Sequence, residues 1–424
     1  MIRLKPFGRI SYQGLREAYL KQLLDFDVIA PELCDILAAD RCVNISSISG
    51  KPIPQSLKNY LYLQKNMMSV KERLRLLLIG PEPEDMPKSF GGNGKYKTMR
   101  QVLEAVINGF RPLEGNAKDL YKKVFDYDKF KGSNKSIFQR PAYWLQKQLD
   151  VKVCPFCNRI YTTTLFNRSV RPAFDHFYPK SIYPYLAVSL FNLIPICDIC
   201  NKAKSDHAEI YRKKQIIYPY DESFDDYIDE GKPVHASFRV LPNGDQPWDV
   251  LYGQSEEFTL QFHPTDSEGE TLEGPHSGVL VPADLDNRFP ADNHEYWERV
   301  INSIELLKLE ALYDTHKNEI MRILRNRYIY NRDAIVSILR SLLQVEYPTI
   351  SDASLTLEAQ NMLYFANLDP EDWGITPLNK LKADILKQMD TIEIASNDTV
   401  KPLREDEENG EKRYFSIAGT VAGT

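Results

Sequence analysis

Two pairs of cysteines, Cys154 with Cys157 and Cys197 with Cys200, each enclose two residues, and the adjacent Asp175 and His176 lie between the pairs. The CxxC spacing lets both thiolates of a pair reach one ion from a tight turn or a helix start. Two such pairs complete a tetrahedron of soft donors suited to zinc. A shell of four thiolates leaves no position open to substrate, so this zinc is expected to be structural, contributing on the order of 10 kcal/mol of apparent folding free energy. The 39 residues between the pairs are more than a zinc ribbon needs, so they must fold on their own account. Asp175 offers a hard oxygen donor. His176 offers an imidazole whose ordinary pKa, about 6.5, leaves it able to take a proton near neutral pH.

The strings that carry these residues are FDHFYPKS from Phe174, FNLIPIC from Phe191 and CNKAKSD from Cys200. Together with the two CxxC pairs they resemble the HNH endonuclease family, over residues 153–207 of 424. The resemblance implies a ββα-metal fold: a strand ending in Asp-His, a loop, a second strand after a central Asn, and a helix bearing the last metal ligand. It implies His176 as general base, and Asp175 with the Asn201 side-chain oxygen as ligands of one catalytic Mg²⁺ or Mn²⁺. Asn192 would hold the loop and orient the histidine. Some members carry histidine at the final position, and Asn201 keeps an oxygen donor for a hard cation there. On a regular strand Asp175 and His176 would face opposite ways, so the strand is expected to end at this pair.

Lys180, Lys202 and Lys204 are candidate phosphate contacts, the last two at the start of the helix after Cys200. Arg159, Arg168 and the basic run at 212–214 extend the same surface. The implied activity is phosphodiester hydrolysis of nucleic acid, with DNA the expected substrate. The alternative is a catalytically inactive zinc-stapled module that binds nucleic acid or serves assembly. The large flanking regions resemble anti-phage defence effectors such as the HNH component of Septu-type systems, which implies a separate ATPase partner. The GGNGK string from Gly91 lacks both the first glycine and the Ser or Thr of a phosphate-binding loop and reads as a surface turn.

Bulk composition agrees with a globular protein: 43% hydrophobic and 26% charged residues, with a net charge of -6 that hides an uneven distribution. Residues 118–214 hold 18 Lys and Arg against 8 Asp and Glu, a local charge of +10, leaving -16 elsewhere. The basic segment is the one that contains the paired cysteines. Two of the six cysteines, Cys34 and Cys42, fall outside the pairs and read as small buried residues. CxxC pairs without a disulfide framework fit a reducing compartment. With no leader-like apolar segment and no apolar run of about 18 residues, a cytoplasmic protein without a membrane span is expected. His207, His235, His263, His276, His294 and His316 have no metal-ligand spacing, and oligomeric state stays open.

The elements that must position these residues read as α+β, mainly helical. Residues 1–149 form a helical N-terminal region, with helical periodicity at 11–26, 55–79, 99–110 and 138–149. Residues 150–217 form the nuclease module, followed by Tyr218, Pro219 and Tyr220 as a packing element. Residues 218–290 alternate (Val234, Ala236, Phe238, Val240; then Phe258, Leu260, Phe262) around the turn string LPNGDQPW and read as a strand-rich insertion. Residues 291–396 return to helix, with one apolar face running from about 291 to 327, then helices at 333–345 and 377–389. The acidic tail, 397–424, is expected to be weakly ordered.

Overall fold

The computed structural model describes residues 1–4, 12–38, 47–48, 50–62, 69–80, 98–110, 117–132, 140–165, 170–205, 215–229, 232–243, 247–266, 269–272, 280, 294–330, 332–343, 351–364, 373–390, 413–415 and 421–423. Two compact units divide the chain, Met1–Ser223 and Phe224–Thr424. The N-terminal helices and the cysteine module therefore share one unit. The fold is α+β and mainly helical, with small antiparallel sheets. No described helix is long and apolar enough to cross a membrane.

In the first unit the helices are α1 (Tyr12–Asp25), α2 (Pro31–Ala38), α3 (Gln55–Leu61), α4 (Val70–Ile79), α5 (Met99–Gly109), α6 (Ala117–Val124), α7 (Tyr127–Lys131) and α8 (Pro141–Leu149). A two-residue hairpin, β1 (Ser47–Ile48) with β2 (Lys51–Pro52), precedes α3. The expected single stretch at 55–79 is two helices because Ser69 starts a new one. Its hydroxyl accepts from the Glu72 amide while the Glu72 carboxylate accepts from the Ser69 amide, a capping box. Pro141 at the first helical position fixes the start of α8, and Asp150 in the left-handed region ends it.

These helices exist, in packing terms, to hold one loop. The β-strands β3 (Ala173–His176) and β4 (Leu193–Ile196) pair antiparallel, and α9 (Asp198–Lys204) follows directly and packs on β3. Between the strands the chain makes two tight 3-10 turns, Pro184–Leu186 and Leu190–Asn192. Three tyrosine hydroxyls donate to backbone carbonyls of this stretch: Tyr19 of α1 to Val188 at 2.9 Å, Tyr218 to Phe191 at 2.5 Å, and Tyr220 to Leu193 at 2.9 Å. The Tyr218–Tyr220 segment thus packs on the module as its sequence suggests. Tyr185 extends a ring stack, with Phe110 centred 4.0 Å from it and Tyr60 4.2 Å beyond, which ties the first turn to α5 and α3. Each such ring removes a large apolar area from water and adds about 0.5–1.5 kcal/mol of oriented ring contact.

In the second unit β5 (Tyr227–Asp229), β6 (Lys232–Pro242) and β7 (Phe258–Thr265) form an antiparallel sheet in sequence order. The alternation read in the sequence is real: Ala236, Phe238 and Val240 are buried, and Phe238 sits opposite Phe262 with ring centroids 4.0 Å apart. The connection between β6 and β7 is longer than a hairpin turn and contains a short helix, α10 (Pro247–Leu251). The apolar face expected to run unbroken to residue 327 belongs to three helices: α11 (His294–Leu306), α12 (Leu309–Asp314) and α13 (Lys317–Ile329). Lys308, in the left-handed region at φ 52°, turns the chain between the first two while the apolar periodicity continues across the break.

A hairpin of α14 (Arg332–Leu343) and α15 (Asp352–Tyr364) packs around Leu339, Leu355 and Ala359. The last long helix is α16 (Asn379–Asp390). Its side chains close an open strand edge, since the Phe238 amide donates to Asp384 at 3.0 Å and the Val240 amide to Gln388 Oε1 at 2.8 Å. Lys380 lies buried between Asp384, at 3.1 Å, and Asp225, at 2.9 Å, so the buried carboxylates are paired. In the tail expected to be weakly ordered, β8 (Arg413–Phe415) pairs with β9 (Val421–Gly423). The GGNGK string, Cys42, Arg168, His207, 212–214 and His276 lie outside the described residues.

Candidate active site

The four module cysteines come together as their spacing requires. Their sulfurs lie within 4.8 Å of one another, all four residues are buried, and the group can hold a metal ion. Two turns of like build present them. In the first, Val153 bridges Tyr161, the Asn158 amide donates to the Cys154 carbonyl at 2.8 Å, and Asn158 takes a left-handed φ of 50°. In the second, Cys197 is the N-cap of α9, its sulfur accepting from the Cys200 amide at 3.5 Å and its carbonyl from the Asn201 amide at 2.9 Å.

Burial pushes the Cys154 thiol up, whereas hydrogen bonding from Cys154 pulls Cys157 and Cys197 down toward thiolate. Some of the protons are therefore readily displaced, which is what a thiolate-loving cation requires. Cys34 is half-buried, as expected, with its thiol raised by burial.

Asp175 and His176 end β3, where Asp175 stands opposite Ile194 and His176 opposite Leu193. Asn192 is fully buried behind them. Its Oδ1 accepts from the Tyr178 amide at 2.7 Å, and its Nδ2 donates to the carbonyls of Tyr178 at 3.1 Å and Leu186 at 3.0 Å. One side-chain amide thus satisfies backbone groups on both limbs of the loop, and the loop returns Ala187 to the histidine. His176 Nε2 lies 3.0 Å from the Ala187 carbonyl oxygen. A carbonyl only accepts, so Nε2 carries the proton and Nδ1 carries the lone pair.

Burial, reinforced by Lys180, pushes the His176 pKa down to about 3, with the Ala187 carbonyl opposing. The imidazole is neutral at physiological pH. Because the folded value lies below the ordinary 6.5, the unfolded chain takes up a proton that the folded chain refuses as pH falls from about 6.5 toward 3. His176 therefore adds to stability above that window and loses its contribution within it.

Asp175 and His176 share a cleft of about 300 Å³ with Tyr127, Phe174, Pro179, Lys180, Asn201 and Ser205. Two oxygen donors, Asp175 and Asn201, line it together from β3 and α9, a donor set suited to a hard divalent cation. Lys180 lines the cleft as expected of a phosphate contact. Lys202 is exposed on α9 and is not among the lining residues. Lys204 differs from its expected role: only 1% of its surface is exposed, and it donates to Asp175 Oδ2 from the protein interior. The His176 and Phe177 carbonyls, each at 3.4 Å, complete its setting. Burial lowers the Lys204 pKa and Asp175 opposes the shift. Lys204 is a charge partner holding Asp175, and no phosphate reaches it.

Sequence reading missed Tyr127. It comes from α7, its ring meets the His176 ring edge-on at 4.5 Å, and Lys180 lies 4.4 Å over its face. Nothing in the local string YDKFK marks it, because its role arises from packing between distant segments. Among the other histidines, His235 pairs with Asp225 at 3.2 Å; the four cysteines are the sole metal-competent group of His, Cys, Asp and Glu among the described residues. Comparison with family models, curated proteins and solved structures gives no match.

Two outcomes follow from this geometry. Lys204→Met leaves Asp175 buried without its cation and should lower unfolding free energy by about 3–5 kcal/mol in urea titrations, with Asp175→Asn in the same chain recovering a large part. In ¹⁵N-histidine NMR, a signal removed by His176→Gln should remain that of a neutral, Nε2-protonated ring at pH 5, where exposed histidines are cationic. A protonated ring at that pH would contradict the burial argument.

Proposed function

We propose that the protein is a metal-dependent nuclease of the HNH type, hydrolysing phosphodiester bonds of DNA from the cleft around His176. The observation that supports this most directly is the neutral imidazole at a strand end, its Nε2 committed to a backbone carbonyl and Nδ1 left as the base. It shares its cleft with two hard oxygen donors and a lysine. Phosphodiester hydrolysis needs a water stripped of its proton, charge offset at phosphorus and a stabilised leaving 3′ oxygen. His176 Nδ1 takes the proton of the attacking water. Lys180 offsets charge on the phosphate from the rim.

Asp175 and Asn201 would hold one Mg²⁺ or Mn²⁺, which when bound supplies Lewis acidity at the phosphate and its leaving oxygen. Lys204 keeps Asp175 ionised and fixed in orientation, with one carboxylate oxygen committed inward. Such outer partners commonly set how well a ligand serves its metal. Asn192 acts at a remove, by holding the loop that delivers the Ala187 carbonyl. The four-thiol cluster we assign to structural zinc, which pins the start of α9 and with it Asn201.

Plasmid DNA, single-stranded DNA and RNA incubated with Mg²⁺ or Mn²⁺ test the reading. Wild type is expected to cut DNA, chelator to stop it, and His176→Ala to slow it by about 10²–10⁴-fold, the usual contribution of a general base. Equal cutting by wild type and His176→Ala rules out this mechanism. Cys154→Ser should lose stoichiometric zinc and melt at lower temperature; zinc retained at unchanged stability would remove the four-thiolate assignment.

A further inference from the structure

We propose that Tyr127 contacts the substrate in this cleft: its hydroxyl, fixed by Arg171, donates to a non-bridging oxygen of the bound phosphodiester. The inference rests on the nuclease reading of the cleft and adds a residue from outside the ββα module. Arg171 hydrogen-bonds the Tyr127 hydroxyl. A guanidinium has donors only, so the phenol oxygen must accept from it and its own proton must go elsewhere. Among the described residues Tyr127 has no acceptor for that proton. Burial holds the phenol up at about 12, so the proton is present at any physiological pH.

The dyad is built rigidly. Arg171 donates to the Pro172 carbonyl at 2.7 Å, and its guanidinium lies 5.6 Å from the Tyr143 ring centre and 5.5 Å from that of Phe174. A cation donating to the phenol oxygen polarises the O–H bond and makes it a stronger donor. Lys180 and Lys131 lie 4.4 and 5.4 Å from the Tyr127 ring centre, so the hydroxyl's surroundings favour an anion. Asp128 pairs with Lys131 at 2.7 Å and is largely exposed. The ligand that suits a lone donor among cations, beside a general base, is a phosphate oxygen of a nucleic-acid strand.

A purely packing role for Tyr127 would need its ring against His176 and not its hydroxyl, which makes Tyr127→Phe the discriminating change. Binding of a fluorescein-labelled DNA duplex to the full, zinc-loaded chain is followed by anisotropy without added divalent ion, so that affinity is read apart from cutting. Tyr127→Phe should weaken binding about tenfold, the worth of one hydrogen bond to a charged acceptor, at unchanged zinc content and melting temperature. Arg171→Met, which leaves the phenol unpolarised, should weaken it in the same direction. Equal affinity of wild type and Tyr127→Phe overturns the proposal whether or not the wild type cuts, and so does a wild type that binds no duplex. Cutting that survives His176→Ala would instead count against the nuclease reading and leave this affinity comparison standing.

Discussion

The side-chain amide of Asn192 is the constraint on which the site depends. It is fully buried, and its oxygen and nitrogen meet the amide and carbonyl of Tyr178 and the carbonyl of Leu186. Backbone groups buried without partners would each cost about 1–3 kcal/mol, so this one residue stabilises a loop conformation that has no ladder of its own. The loop in turn places the Ala187 carbonyl against His176, and that contact selects the ring nitrogen left free to accept a proton. Around it, Tyr19, Tyr185, Tyr218 and Tyr220 fasten the same loop to the surrounding chain. The helical N-terminal region is thus a mould for a loop rather than an appendage to it.

The second fastening comes from the thiols. Cys197 ends the strand side and opens α9, so a metal ion held by the four sulfurs would fix the helix at its first turn, where Asn201 stands. Lys204 fastens the other end of the same helix to Asp175. One short helix is therefore held at both ends, with the cleft-lining Asn201 between them. A seven-residue helix has too few internal hydrogen bonds to persist alone, and these two anchors replace the stability that length would give.

What was legible in the sequence was local. The CxxC pairs, the Asp-His step and Asn192 are short strings whose geometry is set within a few residues, and the structure brings these side chains to one module. Lys204 was misread for a reason its own spacing contained: it lies four residues after Cys200, on the face that the buried sulfur already turns inward, while Lys202 lies two away and faces solvent. Tyr127 and Arg171 were not legible, since their meeting depends on how α7 folds against β3. The break at Lys308 was hidden because apolar spacing continues on both sides of a left-handed residue.

The basic character of residues 118–214 also changes meaning once the charges are placed. Lys204 is consumed by Asp175, Lys131 by Asp128, and Arg171 works against Tyr127, so a positive count overstates the cations free to meet a strand. Those that remain near the cleft act on His176 as well as on any anion. Lys180, Lys204 and Lys131 all oppose protonation of the ring, which keeps it a base but a weak one. On the nuclease reading a phosphodiester entering beside Lys180 offsets part of that positive field, and the affinity of Nδ1 for a proton rises at the moment a proton must be taken. The same cations then serve twice, keeping the ring neutral while the cleft is empty and strengthening it as a base once substrate is bound.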